Sequence, residues 1–441
     1  MTTQNTKTQL SILVQPLKPA LLQGFDQQLD VLVRIQAPDQ PAEVAKPRLP
    51  HHLALVIDRS GSMAGEPLDE AKRCARHILE RMVPTDRAAL VQFDNRVNVL
   101  VPNQPVGNGD LFRHALESIH EGGITNLHGG WEAGAQALKP QAQEAGMARV
   151  ILLSDGNANE GEIDPQRIAD QCRDMAAAGV TTSTYGLGHS FNEDLMVAMA
   201  QAGQGNHYYA QTAKDLLDAF AEEFDLIRQL YARHLRLSIA TVEGVSATLL
   251  NEYPTEDLRG FPVIRLPDIA WGSEAWALIR LKVPARLAGE APNILLQVEL
   301  TAVDIDGHPV AVPDVQLKLP GLPPQSWEAL LADELVERRR DELAAAALLT
   351  QARTAAQRGD WSEVKRLLNQ AKATYGANPW LKDILAVMER LASQEDQAMF
   401  NKEALYSSRR MSSRLASKEE SMCQRPRSAG LPAPQVSPGQ R

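Results

Sequence analysis

HLALVIDRSGSM, residues 52–63, decides how this chain is read. Five consecutive apolar residues, Leu53 to Ile57, give way at once to Asp58, Ser60 and Ser62. A short apolar run of this kind is a strand buried on both faces, the form a parallel sheet requires. RAALVQFD (87–94), ARVILLSDG (148–156), VTTSTYGLG (180–188) and NHYYAQ (206–211) repeat the pattern. Helical periodicities lie between them. Pro67 opens one, with Leu68, Ala71, Ala75, Ile78, Leu79 and Met82 on one face. Asp164-Pro165 is an N-cap followed by a first-turn proline, leading into Ile168, Ala169, Cys172 and Met175 until Gly179 stops the helix. Thr212 and Asp215 form a capping box ahead of Leu216, Phe220 and Ile227. NVLVPN (98–103) follows RAALVQFD closely and reads as its hairpin partner across Asp94-Asn95-Arg96. Strands alternating with helices predict a doubly wound (Rossmann-like) α/β domain over residues 51–230, with one antiparallel edge strand.

The flanks differ. Residues 231–320 contain short alternating runs, among them HLRLSIATV, AWALIRLKVP and NILLQVELTAV, separated by Gly, Pro and Asp. They predict an antiparallel β-sandwich. Residues 1–50 carry the same rhythm at Leu29, Val31, Val33 and Ile35, so these strands are expected to join that sandwich, with the α/β domain inserted between them. Residues 326–400 are helical in pattern, and 355–392 resemble a single helical hairpin of tetratricopeptide type. Residues 401–441 are rich in Ser, Arg, Pro and Gly and lack apolar periodicity, so a disordered tail is expected there.

Composition removes several function classes. The net charge of -10 over 441 residues opposes a nucleic-acid binder, which needs a basic face for phosphate. Three cysteines, Cys74 and Cys172 on helix faces and Cys423 in the tail, fit neither a zinc site nor a disulfide framework. The opening MTTQNTKTQLSILVQP lacks the charged start and apolar stretch of a signal peptide, and no run is long enough to cross a bilayer. A cytoplasmic protein that meets no membrane is expected. The oligomeric state is not legible.

In an open α/β sheet, ligands bind beyond the carboxyl ends of the strands, where strand order reverses. DRSGS stands at one such end and Asp155 at another, while EGGITNLHGG (121–130) is a Gly-rich loop carrying Thr125 into a helix. Convergence of these loops would surround one point with oxygens from Asp58, Ser60, Ser62, Thr125 and Asp155, without nitrogen or sulfur. Hard donors suit Mg²⁺, Mn²⁺ or Ca²⁺ and disfavour zinc and copper. Two carboxylates at most balance a divalent ion, so the ion stays electrophilic and can take an outside carboxylate. Gly122, Gly123, Gly129 and Gly130 are read as backbone geometry around Thr125, and His128 as a solvated loop histidine. Asn157, Asn159, Glu160 and Glu162 are read as a polar loop.

Asp58-x-Ser60-x-Ser62, Thr125 and Asp155-Gly156, in this order, resemble the metal-ion-dependent adhesion site of von Willebrand factor type A domains of bacterial type. The resemblance covers about residues 51–230 and matches all five positions. It implies that Ser60, Ser62 and Thr125 hold the metal directly or nearly so, that Asp58 and Asp155 hold it mainly through water, and that an Asp or Glu of a protein partner completes the shell. It implies binding or assembly and no catalysis. Enzyme alternatives lack their parts. Ser60 stands where an aspartyl phosphotransferase needs a second acid, and neither a phosphate loop, a dinucleotide fingerprint nor a Gly-x-Ser-x-Gly elbow is present. Two other readings stay open: a scaffold or dimerisation protein acting through its helical segment, and a metal-dependent hydrolase.

Overall fold

The computed structural model describes residues 9–39, 50–142, 147–155, 158–187, 192–210, 229–258, 261–305, 307–413 and 416–417. The helix expected after Thr212, Gly156, Asn157, the end of VTTSTYGLG and Cys423 lie outside the described residues. Three strands come first: β1 (Ser11–Pro16), β2 (Leu21–Leu22) and β3 (Gln27–Gln36). The α/β domain follows as β4 (His51–Asp58), α1 (Glu66–Arg81), β5 (Arg87–Phe93), β6 (Val97–Pro105), α2 (Asp110–Glu117), α3 (Leu127–Leu138), β7 (Met147–Ser154), α4 (Pro165–Ala177), β8 (Val180–Leu187), α5 (Glu193–Ala202) and β9 (Gln204–Ala210).

Its sheet has the order β6-β5-β4-β7-β8-β9, parallel throughout except for β6, which runs antiparallel to β5 at the edge. Side chains alternate across β4. Leu53, Leu55 and Ile57 meet Leu68, Ala71, Cys74 and Ile78 of α1, whereas Ala54 and Val56 share a core with Trp131 and Ala135 of α3 and with Ile168 and Cys172 of α4. Each large aliphatic side chain so buried contributes about 1.5–3 kcal/mol. Helix α3 lies close on the sheet because two of its residues lack side chains. A Cβ on Gly134 would stand 2.4 Å from Val56 Cγ2, and one on Gly130 would stand 2.3 Å from Phe93 Cδ1. Gly130 therefore serves helix-on-sheet packing, a correction to its reading as loop geometry. Between these glycines, the fully buried Trp131 donates its indole N–H to Thr182 Oγ1 at 3.0 Å.

The sandwich resumes with β10 (Leu230–Thr241), β11 (Ser246–Leu249), β12 (Thr255–Leu258), β13 (Phe261–Arg265), β14 (Ile269–Ala270), β15 (Ser273–Val283), β16 (Asn293–Asp304) and β17 (Val315–Leu319). One sheet is ordered β1-β3-β15-β11 and the other β12-β13-β10-β16-β17. Strand β3 pairs antiparallel with β15 from Gln36↔Glu274 to Gln27↔Val283. Segments from either side of the α/β domain thus share one sheet, and their inner faces form one core through Val31, Val33, Ile35, Leu237, Ile239, Ile279 and Val298.

Four long helices, Glu334–Gln357, Trp361–Tyr375, Pro379–Gln394 and Gln397–Ser413, build a further core from Leu349, Leu367, Leu385, Met388, Phe400 and Met411. The first of them also covers the outer face of β3 and β15, placing Val336 and Leu343 against Leu32, Trp276 and Leu278. The last corrects the tail expected from residue 401. Phe400, Ala404 and Met411, spaced by four and seven, are buried and hold the segment as a helix to Ser413. Its serines hid this pattern in the sequence. Ser408 and Ser412 turn their hydroxyls back onto the carbonyls of Leu405 and Arg409, which removes the cost of carrying them on a packed helix. Ala416–Ser417 then pairs with β15.

Candidate metal centre

Strand order reverses between β4 and β7, since the chain lays β5 on one side of β4 and returns to place β7 on the other. The crevice beyond such a reversal is where open α/β sheets bind ligands. Asp58 is the last residue of β4, and Asp155 directly follows Ser154, the last residue of β7. Asp58 is fully buried. Its Oδ1 accepts from the Ser60 N–H at 2.8 Å and its Oδ2 from the Ser154 hydroxyl at 2.5 Å. Ser60 is buried too, with its hydroxyl 3.2 Å from that of Ser62, which is exposed at the mouth of the crevice.

Thr125 reaches this group through its backbone. Gly61 N–H donates to the Gly123 carbonyl at 2.9 Å and Gly122 N–H to the Arg59 carbonyl at 2.6 Å, which locks the Thr125 loop against the Asp58–Ser62 loop. From the other side Asn159 Oδ1 accepts the Thr125 N–H at 2.7 Å, while the N–H groups of Asn159 and Glu160 donate to the Thr125 carbonyl at 3.1 and 3.2 Å. Both backbone groups of Thr125 are thereby held by the segment that follows Asp155. Thr125 and Asp155 are buried at 2% and 6% exposure. The three loops therefore converge; Asp58, Ser60, Thr125 and Asp155 are buried and Ser62 is exposed.

Burial drives the Asp58 carboxyl up to about 6; the hydrogen bonds from Ser154 and Ser60 oppose the rise, and the nearby Asp155 adds to it. Among the described residues no Lys or Arg side chain forms an ion pair with Asp58. A buried carboxylate beside a second one is costly unless a cation answers it. Among the described residues no three His, Cys, Asp or Glu side chains gather as a metal cage would require. The donor set here is of another kind, with two acids and three hydroxyls. An all-oxygen set of this kind suits a hard divalent cation, so the residues fit Mg²⁺, Mn²⁺ or Ca²⁺; the buried Lys402 ammonium also acts on Asp155.

Two contributors carried no separate signal in the sequence. Ser154 reads as the end of an apolar strand, yet its hydroxyl holds Asp58. Asn159 reads as part of a polar loop, yet it fixes Thr125. Glu160 joins it through its backbone, whereas Glu162 turns elsewhere. Glu162 accepts from the N–H groups of Ile163 and Asp164 and pairs with Arg167 at the start of α4, and these contacts hold its carboxyl below the usual range. His128 is a half-buried residue of α3 bonded to Gln171 at 2.6 Å, which corrects its reading as a solvated loop histidine.

Residues 52–223 match the family model described as the von Willebrand factor type A domain. An uncharacterised Synechocystis protein, sll0103, is 27% identical over 293 residues, which is 62% of this chain and 65% of that protein. The uncharacterised Escherichia coli protein YfbK is 30% identical over 166 residues, 37% of this chain and 29% of YfbK. The chain thus spans less than two thirds of the length of either relative. The solved structure of a von Willebrand factor type A protein from Catenulispora acidiphila superposes with a TM-score of 0.69 at 15% identity, covering 87% of this chain and 91% of that one, a likeness of fold alone. The family match, the parallel sheet with its single antiparallel edge, and the crevice at the reversal agree: residues 52–223 of this chain are a von Willebrand factor type A domain.

Proposed function

We propose that this chain is a binding protein without catalytic activity, which recognises another protein through a divalent cation held by Asp58, Ser60, Ser62, Thr125 and Asp155. The carrying observation is the convergence, at the strand-order reversal, of the loops bearing the buried Asp58 and Asp155, with the hydroxyls of Ser154 and Ser60 at Asp58 and Ser62 open to solvent. Mg²⁺, Mn²⁺ or Ca²⁺ at this place supplies an electrophilic centre for an acidic side chain of the partner. The protein's own residues prepare that centre. Asp58 and Asp155 provide the countercharge, and the hydrogen bonds of Ser154, Ser60 and Asn159 fix the donors before any ligand arrives. Hydroxyls in place of further carboxylates leave the bound cation with appetite for an incoming anion. Domains of this type commonly mediate protein–protein interaction, and the location we propose is the cytoplasm. Among the described residues no helix is long and apolar enough to cross a membrane.

Affinity capture from a lysate with the full chain as bait tests this reading. Partners retained in Mg²⁺ should be released by chelator, and the folded Ser60→Ala protein should fail to retain them. Partners kept under both treatments would refute metal-dependent recognition and favour a scaffold acting through the helices.

A further inference from the structure

Asp94 stands outside the five-oxygen set, just beyond β5, and is 3% exposed. Three segments meet on it. Arg59 Nη2 pairs with its Oδ2 at 2.7 Å, and the Gly123 N–H donates to the same oxygen at 3.1 Å. The Arg96 N–H donates to Oδ1 at 2.7 Å, and the Asp94 carbonyl accepts from the Asn126 N–H at 2.9 Å. Gly123 and Asn126 bracket Thr125, so both ends of the short segment that carries it are tied to one residue. The contact excludes any side chain at Gly122, whose Cβ would lie 2.0 Å from Asp94 Oδ2.

Arg59 completes the brace. It sits between Asp58 and Ser60; its N–H donates to the Phe93 carbonyl at 2.9 Å, and its guanidinium donates to the His120 carbonyl at 3.2 Å. The ion pair therefore joins the loop bearing Asp58, Ser60 and Ser62 to Asp94, whose hydrogen bonds with Gly123 and Asn126 carry the link on to the loop bearing Thr125. Its charges also matter. A third bare carboxylate beside the crevice would bind the cation too strongly and blunt its pull on an outside acid, and Arg59 cancels that charge.

We infer that Asp94 and Arg59 are positioning residues of the metal centre, setting the separation between the Thr125 loop and the Asp58–Ser62 loop without touching the cation. The inference rests on the proposed metal-dependent reading. Outer partners of metal ligands typically govern affinity by 10–100-fold.

The test uses the full chain and Mn²⁺, with the free ion read by electron paramagnetic resonance. Asp94→Asn and Arg59→Gln should each weaken Mn²⁺ binding by about 10-fold or more. The double variant should bind no more weakly than Asp94→Asn alone, because the two residues act as one unit. Without metal, the unfolding temperature should stay within a few degrees of the parent. Amide exchange should quicken at Gly123 and Asn126 while β4 remains protected. Asp110→Asn, which removes an exposed carboxylate on α2, should change neither quantity. Should Asp94→Asn fail to fold, Arg59→Gln carries the same comparison. Equal Mn²⁺ affinity in parent and variants would overturn the inference and leave the proposed function standing. A parent chain that takes up no Mn²⁺ would overturn both. Exchange rising across the whole α/β domain, with stability and affinity falling together, would assign the pair a general structural role and also overturn the inference.

Discussion

At the scale of single residues, Asp58 links stability to metal. Its carboxyl is raised from 3.8 to about 6, chiefly by burial. Between those values the folded protein binds more protons than the unfolded chain, so the metal-free protein loses stability as pH climbs through that window. A cation needs the ionised carboxylate and reverses this cost. The thermal shift produced by Mg²⁺ should therefore be larger at pH 7.5 than at pH 5, and the difference should vanish in Asp58→Asn. Equal shifts at both pH values, read by differential scanning fluorimetry, would remove Asp58 from the cation's neighbourhood. The acid–hydroxyl–hydroxyl grouping was legible because Asp58, Ser60 and Ser62 are close in sequence and sit against an apolar run. Ser154, Asn159 and Asp94 were not legible as a group, because a hydroxyl, an amide and a turn carboxylate acquire roles only through partners 96, 34 and 29 residues away.

At the scale of elements, α3 shows how a helix is seated by what it lacks. Gly130 and Gly134 let it approach β4 and β5, and Asn126 caps it by accepting from the Gly129 N–H at 2.9 Å. Alanine at an exposed helical position would gain about 1 kcal/mol over glycine. At Gly134 the new methyl meets Val56, so the expected outcome of Gly134→Ala is a net loss of about 1–3 kcal/mol from overpacking, measured by urea unfolding. A more stable variant would show that α3 can lift from the sheet at no cost. The same element explains an error of sequence reading. Paired glycines next to a polar loop look like loop geometry until the sheet beneath them is known. The helix Gln397–Ser413 is the converse case, since its buried apolar residues are spaced correctly but are interleaved with Ser and Arg.

At the scale of the whole molecule, the helical segment is docked on the α/β domain beside the crevice. Arg353 Nη2, from the Glu334–Gln357 helix, reaches Glu193 at 3.3 Å and Asp194 at 2.9 Å at the start of α5. The adjoining Asn192 N–H donates to the Asp155 carbonyl at 3.2 Å. The helices thus bear on the stretch that follows one of the proposed donors. Replacing Arg353 with alanine should raise amide exchange in α5 about tenfold, the equivalent of roughly 1.4 kcal/mol of local opening. Exchange should be unchanged in β1 and β3. No change in α5 would mean that other contacts, among them those of Lys402 with Glu193 and Arg409 with Asp194, suffice to hold the helices there.

By itself, the chain's apolar rhythm determined the α/β fold, the antiparallel flanks and the five candidate donors, because strand burial and short-range motifs are written in neighbouring residues. Only the tertiary structure decided that β3 and β15 lie side by side across the inserted domain, that the last helix continues to Ser413, and that Asp94, Asn159 and Ser154 brace the crevice. Those outcomes depend on which distant surfaces meet, and chain closure over tens to hundreds of residues leaves no local periodicity to read.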